Sequence, residues 1–241
     1  MRITEIMKKI YKIINALFTP FVFIRDFRVE KGLNELSEKE RFTSFYQNSY
    51  WKPVIGGSLS GSGSTKEATN MIKSGLEKLI SEYCISSMLD IPCGDWYWMK
   101  DTDLQGLQYI GGDIVSEIVV SNNKNFSTEK IQFLEIDIIN DKLPKVDLVF
   151  VRDCFVHLED DDIVKALKNI ASSGSKYLVS TTYSDHKKNG RIVNKDRWRK
   201  LNLTKPPFSL TKELELMPDM KSSSVDQDKY MGVWQIATMF Q

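Results

Sequence analysis

The sequence predicts an α/β fold built on a mostly parallel sheet, and three stretches carry the prediction. Ile85 to Ile91 is apolar except for Ser86, Ser87 and Asp90, the pattern of a strand covered on both faces. Pro92 follows, with no N–H to give a ladder. Gly94 comes next, and its missing Cβ lets the backbone turn sharply and a ligand approach. The second stretch, Leu107 to Asp113, ends in an acid nineteen residues beyond Gly94. In doubly wound folds an acid about twenty residues past the glycine turn holds ribose hydroxyls of a bound nucleotide. The third, Ile131 to Asp137, alternates apolar and polar residues and again ends in an acid. A carboxylate is costly to bury unpaired. Asp90, Asp113 and Asp137 at successive strand ends therefore mark a ligand-binding edge.

The series "LDIPCGD", "YIGGDI", "FLEIDI" and "VDLVFVRD" resembles the successive strand ends of class I S-adenosylmethionine-dependent methyltransferases over roughly residues 50 to 241. The turn variant D-x-P-C-G-D is similar to a bacterial subgroup associated with methylation of capsule and surface-polysaccharide sugars. Two of the family's usual three turn glycines are replaced here, by Pro92 and Trp96. The resemblance implies a Rossmann-like seven-stranded sheet in the order 3-2-1-4-5-7-6, closed by a C-terminal antiparallel hairpin. It implies S-adenosyl-L-methionine as cofactor. The first turn (Asp90, Pro92, Cys93, Gly94, Asp95, Trp96) would take the methionine part, Asp113 and Ile114 the ribose side, and Asp137 and Ile138 the adenine side. A nicotinamide-binding domain is the competing reading. It needs G-x-G-x-x-G for close approach of a pyrophosphate. Here Asp95 would repel a diphosphate and favour a cationic sulfonium and ammonium.

At 241 residues, 41% apolar and 27% charged, the chain suits one globular domain with an extended terminus. The expected division is a helical and aromatic N-terminal extension over 1–55 and the main domain over 56–241. A net charge of +1 gives no global pull toward nucleic acid. Three cysteines (Cys84, Cys93, Cys154) without C-x-x-C spacing argue for a reducing, cytoplasmic setting and against a disulfide framework or zinc site. No metal is expected, since the acids sit at separate strand ends.

In chain order, residues 1–30 are basic and amphipathic, with Lys8, Lys9 and Lys12 among Ile10, Ile13, Ile14, Leu17 and Phe18. They read as a helix packed on the domain or on a dimer neighbour, or as a peripheral membrane helix. Residues 36–55 interleave aromatics (Phe42, Phe45, Tyr46, Tyr50, Trp51) with polar residues. The Gly56–Thr65 stretch lacks the Gly-Lys-Ser/Thr of a phosphate-binding loop. Ser64-Thr65-Lys66-Glu67 reads as a capping box that starts a helix to about Tyr83. The stretch is either a flexible linker or a loop whose N–H groups, around Gly63 and Ser64, receive the cofactor's carboxylate.

Trp96, Trp98 and Met99 follow the first strand, either over the cofactor pocket or in the core. A crossover helix is expected over 115–128, and a fourth strand over Val146 to Val151. Arg152-Asp153-Cys154-Phe155-Val156-His157 comes next, where the resemblance places substrate and chemistry. His157 is the candidate base, since imidazole is matched to removing a hydroxyl proton near pH 7; the other reading is that it only orders the loop. Asp153 is placed to orient that histidine or bind a sugar hydroxyl, and Arg152 to line the adenine side. The fifth strand is Tyr177 to Tyr183. A basic loop over about 184–208 follows, suited to an anionic substrate or to solvent, with Tyr183, His186 and Arg199 as substrate-side candidates. Tyr230 to Phe240, with Lys212 to Met217, would form the closing hairpin. The function implied is O-methylation of a sugar hydroxyl on a nucleotide-activated or glycan precursor. Another acceptor (lipid, protein side chain or RNA) and a non-catalytic cofactor-binding module stand beside it.

Overall fold

The computed structural model describes residues 35–51, 57–192, 197–219 and 227–240. The expectations for residues 1–30 lie outside these. The chain divides into two compact units, Met1–Arg41 and Phe42–Gln241. In the first, the Ser37 amide and hydroxyl both donate to the Glu40 carboxylate, at 2.9 and 2.7 Å. The amide of Glu40 donates back to the Ser37 hydroxyl at 3.3 Å. These are the reciprocal bonds of a capping box, opening helix α1 (Glu38–Gln47).

The second unit holds a seven-stranded sheet in the order β3-β2-β1-β4-β5-β7-β6. Its strands are β1 (Ser87–Asp90), β2 (Gln108–Asp113), β3 (Ile131–Glu135), β4 (Leu148–Val151), β5 (Tyr177–Tyr183), β6 (Glu215–Pro218) and β7 (Lys229–Gln235). The first five pair in parallel, and β7 runs antiparallel between β5 and β6. This is the expected fold, hairpin included.

Helices cover both faces, which is why the central strand β4 is wholly apolar and β1 buries Met88 and Leu89 on opposite faces. Ile72, Leu76, Leu79 and Ile80 of α2 (Lys66–Glu82) and Val119 of α3 (Ser116–Phe126) pack against Met88, Leu148, Phe150 and Val179. On the other face Ile163, Ala166, Leu167 and Ile170 of α4 (Asp160–Ser172) meet Leu89, Val149, Val151 and Leu178. Period two in the strands and 3.6 in the helices are thus satisfied together. Asp160, Asp161 and Asp162 fill the first turn of α4, where the helix dipole favours acids.

Several boundaries differ from expectation. The cap of α2 is Thr65, whose hydroxyl accepts from the Ala68 amide at 3.2 Å, so the box does not form on Ser64. β3 stops at Glu135, because Asp137 turns back to accept from the Ile139 amide at 2.8 Å. The last strand gives way at Ile236 to a short 3-10 turn. Its hairpin partner begins at Glu215, three residues later than expected. Among the described residues no helix is long and apolar enough to cross a membrane.

Candidate functional site

The carboxyl ends of β1, β2 and β4 gather most of the predicted residues. Asp90 closes β1 with its carboxylate buried and accepts the Tyr109 hydroxyl at 2.5 Å. Burial raises its pKa to about 7, against the lowering effect of the Tyr109 bond. After Pro92 the chain turns at Gly94, which has φ +55. Three bonds fix this turn. The Cys93 amide donates to the Gly112 carbonyl at 2.8 Å, the Gly94 amide to Asp113 Oδ2 at 3.0 Å, and the Asn122 side chain to the Gly94 carbonyl at 2.7 Å. Asp113 Oδ1 also accepts from the Val115 amide at 3.0 Å. Burial lifts Asp113 to about 6, offset by these backbone donors. Each oxygen keeps a second lone pair, so Asp113 can still accept from ligand hydroxyls. Ile114, half-buried, comes next.

Asp95 binds the serine-glycine loop. Its carboxylate accepts from the Ser58 hydroxyl at 2.7 Å, the Leu59 amide at 2.6 Å and the Ser60 hydroxyl at 3.1 Å. The Tyr46 hydroxyl, delivered by α1, lies 2.9 Å from Ser60 Oγ. A Cβ on Gly94 would stand 2.3 Å from Ser60 Oγ and 3.2 Å from that hydroxyl. Loop and tyrosine therefore rest directly on the turn. Trp96 points into the core, 5.1 to 5.6 Å from the rings of Phe126, Phe133 and Tyr109. Trp98 is likewise buried.

The end of β3 lies beside that of β2, since the Ile136 amide donates to the Asp113 carbonyl at 3.0 Å. Asp137 is engaged by the Ile139 amide and the Asn140 side chain, and Ile138 is buried.

At the end of β4 four charges close a ring. Arg152 Nε meets Asp219 Oδ1 at 2.8 Å, and its Nη1 lies 3.5 Å from Asp153 Oδ2. Lys229 Nζ lies 2.8 Å from Asp153 Oδ2 and 2.7 Å from Asp219 Oδ2. Arg152 also donates to the Gly63 carbonyl at 2.9 Å, tying the serine-glycine loop to the sheet edge, and Ser64 sits in the 3-10 turn beside it. Asp153 has φ +52, and its amide donates to Thr181 Oγ1 at 2.8 Å. Burial opposes its ionisation, but the Lys229 and Arg152 cations outweigh burial and hold it well below the usual carboxylate range. Asp153 is therefore a charged hydrogen-bond acceptor and a weak base. The ring sums to zero charge, so its cations do not make an anion site.

His157 lies in a 3-10 turn after β4, its Nδ1 3.1 Å from the Arg197 carbonyl. A carbonyl only accepts, so Nδ1 carries the hydrogen and Nε2 is the basic nitrogen of the neutral ring. Trp51 and Phe42 flank the imidazole, with centroids at 5.5 and 6.4 Å.

The substrate-side candidates divide. Tyr183 ends β5, buried against Trp198 at 6.0 Å, with Lys200 Nζ 5.0 Å from its ring centre. The His186 carbonyl accepts from Asn202 Nδ2 at 3.1 Å, so its backbone braces the loop. Arg199 is buried and donates to the Gly190 and Leu158 carbonyls at 2.6 and 2.7 Å, with Asp160 at 2.7 Å. Tyr46, Ser58 and Ser60, together with Lys229 and Asp219, escaped the sequence reading. The aromatic spacing over 42–51 was the one available signal for Tyr46. Nothing local marks Asp219 or Lys229.

No protein-family model and no curated protein matches the sequence. Solved structures do match. The N-methyltransferase NodS from Bradyrhizobium japonicum WM9, in complex with S-adenosyl-L-homocysteine, aligns with a TM-score of 0.54 at 15% identity, over 79% of this chain and 97% of its own. Magnesium protoporphyrin IX methyltransferase from Synechocystis PCC 6803, with bound S-adenosylmethionine, gives 0.56 at 10% identity, over 82% and 96%. A S-adenosylmethionine-dependent methyltransferase from Leishmania major gives 0.57 at 15% identity, over 79% and 83%. The chain thus has the fold of S-adenosylmethionine-dependent methyltransferases of known structure.

Proposed function

We propose that the chain is an S-adenosylmethionine-dependent O-methyltransferase acting on a sugar hydroxyl of a nucleotide-activated or surface-polysaccharide precursor. The carrying observation is Asp113 at the end of β2, held by the Gly94 and Val115 amides beside the glycine turn of β1. That arrangement suits a ribose diol on Asp113 and a cationic group near Asp90, Asp95 and Asp113. The residues fit S-adenosylmethionine, which supplies an electrophilic methyl group when bound. The fold of the solved methyltransferases agrees with this reading.

For the acceptor, the support is the aromatic wall of Phe42 and Trp51 beside His157, since the apolar faces of sugar rings lie well on aromatic side chains. His157 Nε2 takes the hydroxyl proton as the oxygen attacks, and Asp153 accepts a hydrogen bond from a second hydroxyl. The rate gain comes chiefly from alignment of nucleophile and methyl group. Lys187, Lys188 and Arg191, exposed on the basic loop, offer cations to a diphosphate.

A second reading, cofactor binding without catalysis, is favoured by Pro92 and Trp96 in place of turn glycines. The test begins with calorimetric titration of S-adenosylmethionine and S-adenosylhomocysteine into the wild type and Asp113→Ala. Micromolar binding lost in the variant supports the assignment; no binding to the wild type overturns it. S-adenosylhomocysteine formation with a panel of nucleotide sugars then tests the acceptor. Cofactor binding with no product from any cellular acceptor would establish the second reading.

A further inference from the structure

We propose that the Tyr46 hydroxyl is a cofactor-binding group that contacts the amino-acid end of the cofactor at the Gly94 turn. The inference rests on the cofactor reading above and assigns a residue to it that lies outside every strand-end motif. Tyr46 reaches the turn from α1, 48 residues earlier in the chain. Its oxygen is 2.9 Å from Ser60 Oγ and 3.2 Å from where a Gly94 Cβ would stand. Asp113, Asp95 and Cys93 also lie close enough to act on it electrostatically.

The chemistry of that end asks for such a group. An amino acid presents an ammonium and a carboxylate together. Asp90, Asp95 and Asp113 provide negative charge for the ammonium, but three acids repel the carboxylate unless a neutral donor stands among them. Asp95 is already occupied by Ser58, Leu59 and Ser60. Ser60 gives its one hydrogen to Asp95, so Tyr46 donates to Ser60; the Tyr46 oxygen keeps a lone pair for the ammonium, and its hydrogen can turn to the carboxylate when a ligand enters. Burial first, then Asp113 and Asp95, raise its pKa well above 10, so it keeps its proton at every working pH. Packing does not require the hydroxyl: the ring meets Trp51 edge-on at 5.9 Å, a contact phenylalanine would keep.

Tyr46→Phe and wild type are titrated with S-adenosylhomocysteine and with 5′-methylthioadenosine, which lacks the amino-acid end. The expected result is about tenfold weaker binding of S-adenosylhomocysteine by the variant, as for one lost hydrogen bond to a charged group, with 5′-methylthioadenosine affinity unchanged. Equal weakening of both ligands would assign Tyr46 to packing and overturn the proposal, as would unchanged affinity for both. Binding of neither ligand by the wild type would instead overturn the cofactor reading itself.

Discussion

At φ +55, with Ser60 Oγ 2.3 Å from where its Cβ would be, Gly94 is constrained twice over. A left-handed conformation costs an L-residue about 1–2 kcal/mol. Moving Ser60 away would also break its bond to Asp95. Gly94→Ala is therefore expected to lower the melting temperature by several degrees, at about 2–4 °C per kcal/mol for a chain of this size. It should also abolish S-adenosylhomocysteine binding. Gly94→Ala/Ser60→Ala removes the clash and leaves the strain, so it should recover part of the stability. A single variant that melts like the wild type would refute the packed turn. Gly94 and Asp113 were legible in the sequence because the turn and the acid stand at a fixed spacing. Ser60 and Tyr46 were not, because they meet the turn only through the fold. Trp96 was legible as an aromatic near the turn, but not its direction: its fit among Phe126, Phe133 and Tyr109 needs three other elements.

The segment after β5 shows the same limit at the scale of an element. Its charge density suggested a loop held by a ligand or by solvent. In the structure Leu201, Leu203 and Phe208 are buried on the α4 face and Arg199 is buried too, so residues 199–208 are also held by the fold itself. Arg199 bonds two carbonyls and Asp160, and so clamps the His157 turn to the loop. Such bonds have no sequence signature, since any residue supplies a carbonyl. Arg199→Met keeps length and apolar bulk but leaves those carbonyls without their donor. The expected cost is about 2–4 kcal/mol, read by denaturant unfolding. Amide protection should fall over 155–160 and 197–203 while β1 to β3 stay protected. Uniform loss across the sheet would show that Arg199 supports the whole unit and does not clamp this element. Strand order was legible here because the resemblance carried it. The ring of Arg152, Asp153, Asp219 and Lys229 was not, its hydrogen-bonded pairs lying 67 and 76 residues apart.

At the scale of the whole molecule, four buried or part-buried carboxylates among the described residues form two opposed pairs, and their balance ties stability to ligand charge. Burial disfavours ionised Asp147 and Asp153, but Lys176 and Ser86 at the first, and Lys229 and Arg152 at the second, outweigh it and depress both pKa values. Their contribution is present above the unfolded value of 3.8 and is lost as pH falls below it. Asp90 and Asp113 are raised by burial, to about 7 and about 6. Their contribution is fullest below 3.8 and is lost as pH rises through 6 and 7. At about 1.4 kcal/mol per pKa unit, ionising the second pair costs several kcal/mol between roughly pH 4 and 7. The apo protein is therefore expected to melt lower at pH 7.5 than at pH 5. A cation beside Asp90 and Asp113 offsets that cost, and a ligand that binds only the folded state raises its melting temperature. S-adenosylmethionine carries a sulfonium charge that S-adenosylhomocysteine lacks, so at saturation it should flatten the fall with pH more than the product does. Calorimetry in two buffers of different ionisation enthalpy should show proton release on its binding at pH 6.5. Melting curves that rise from pH 5 to 7.5, or that shift in parallel with both ligands, would show that Asp90 and Asp113 do not face the bound cation.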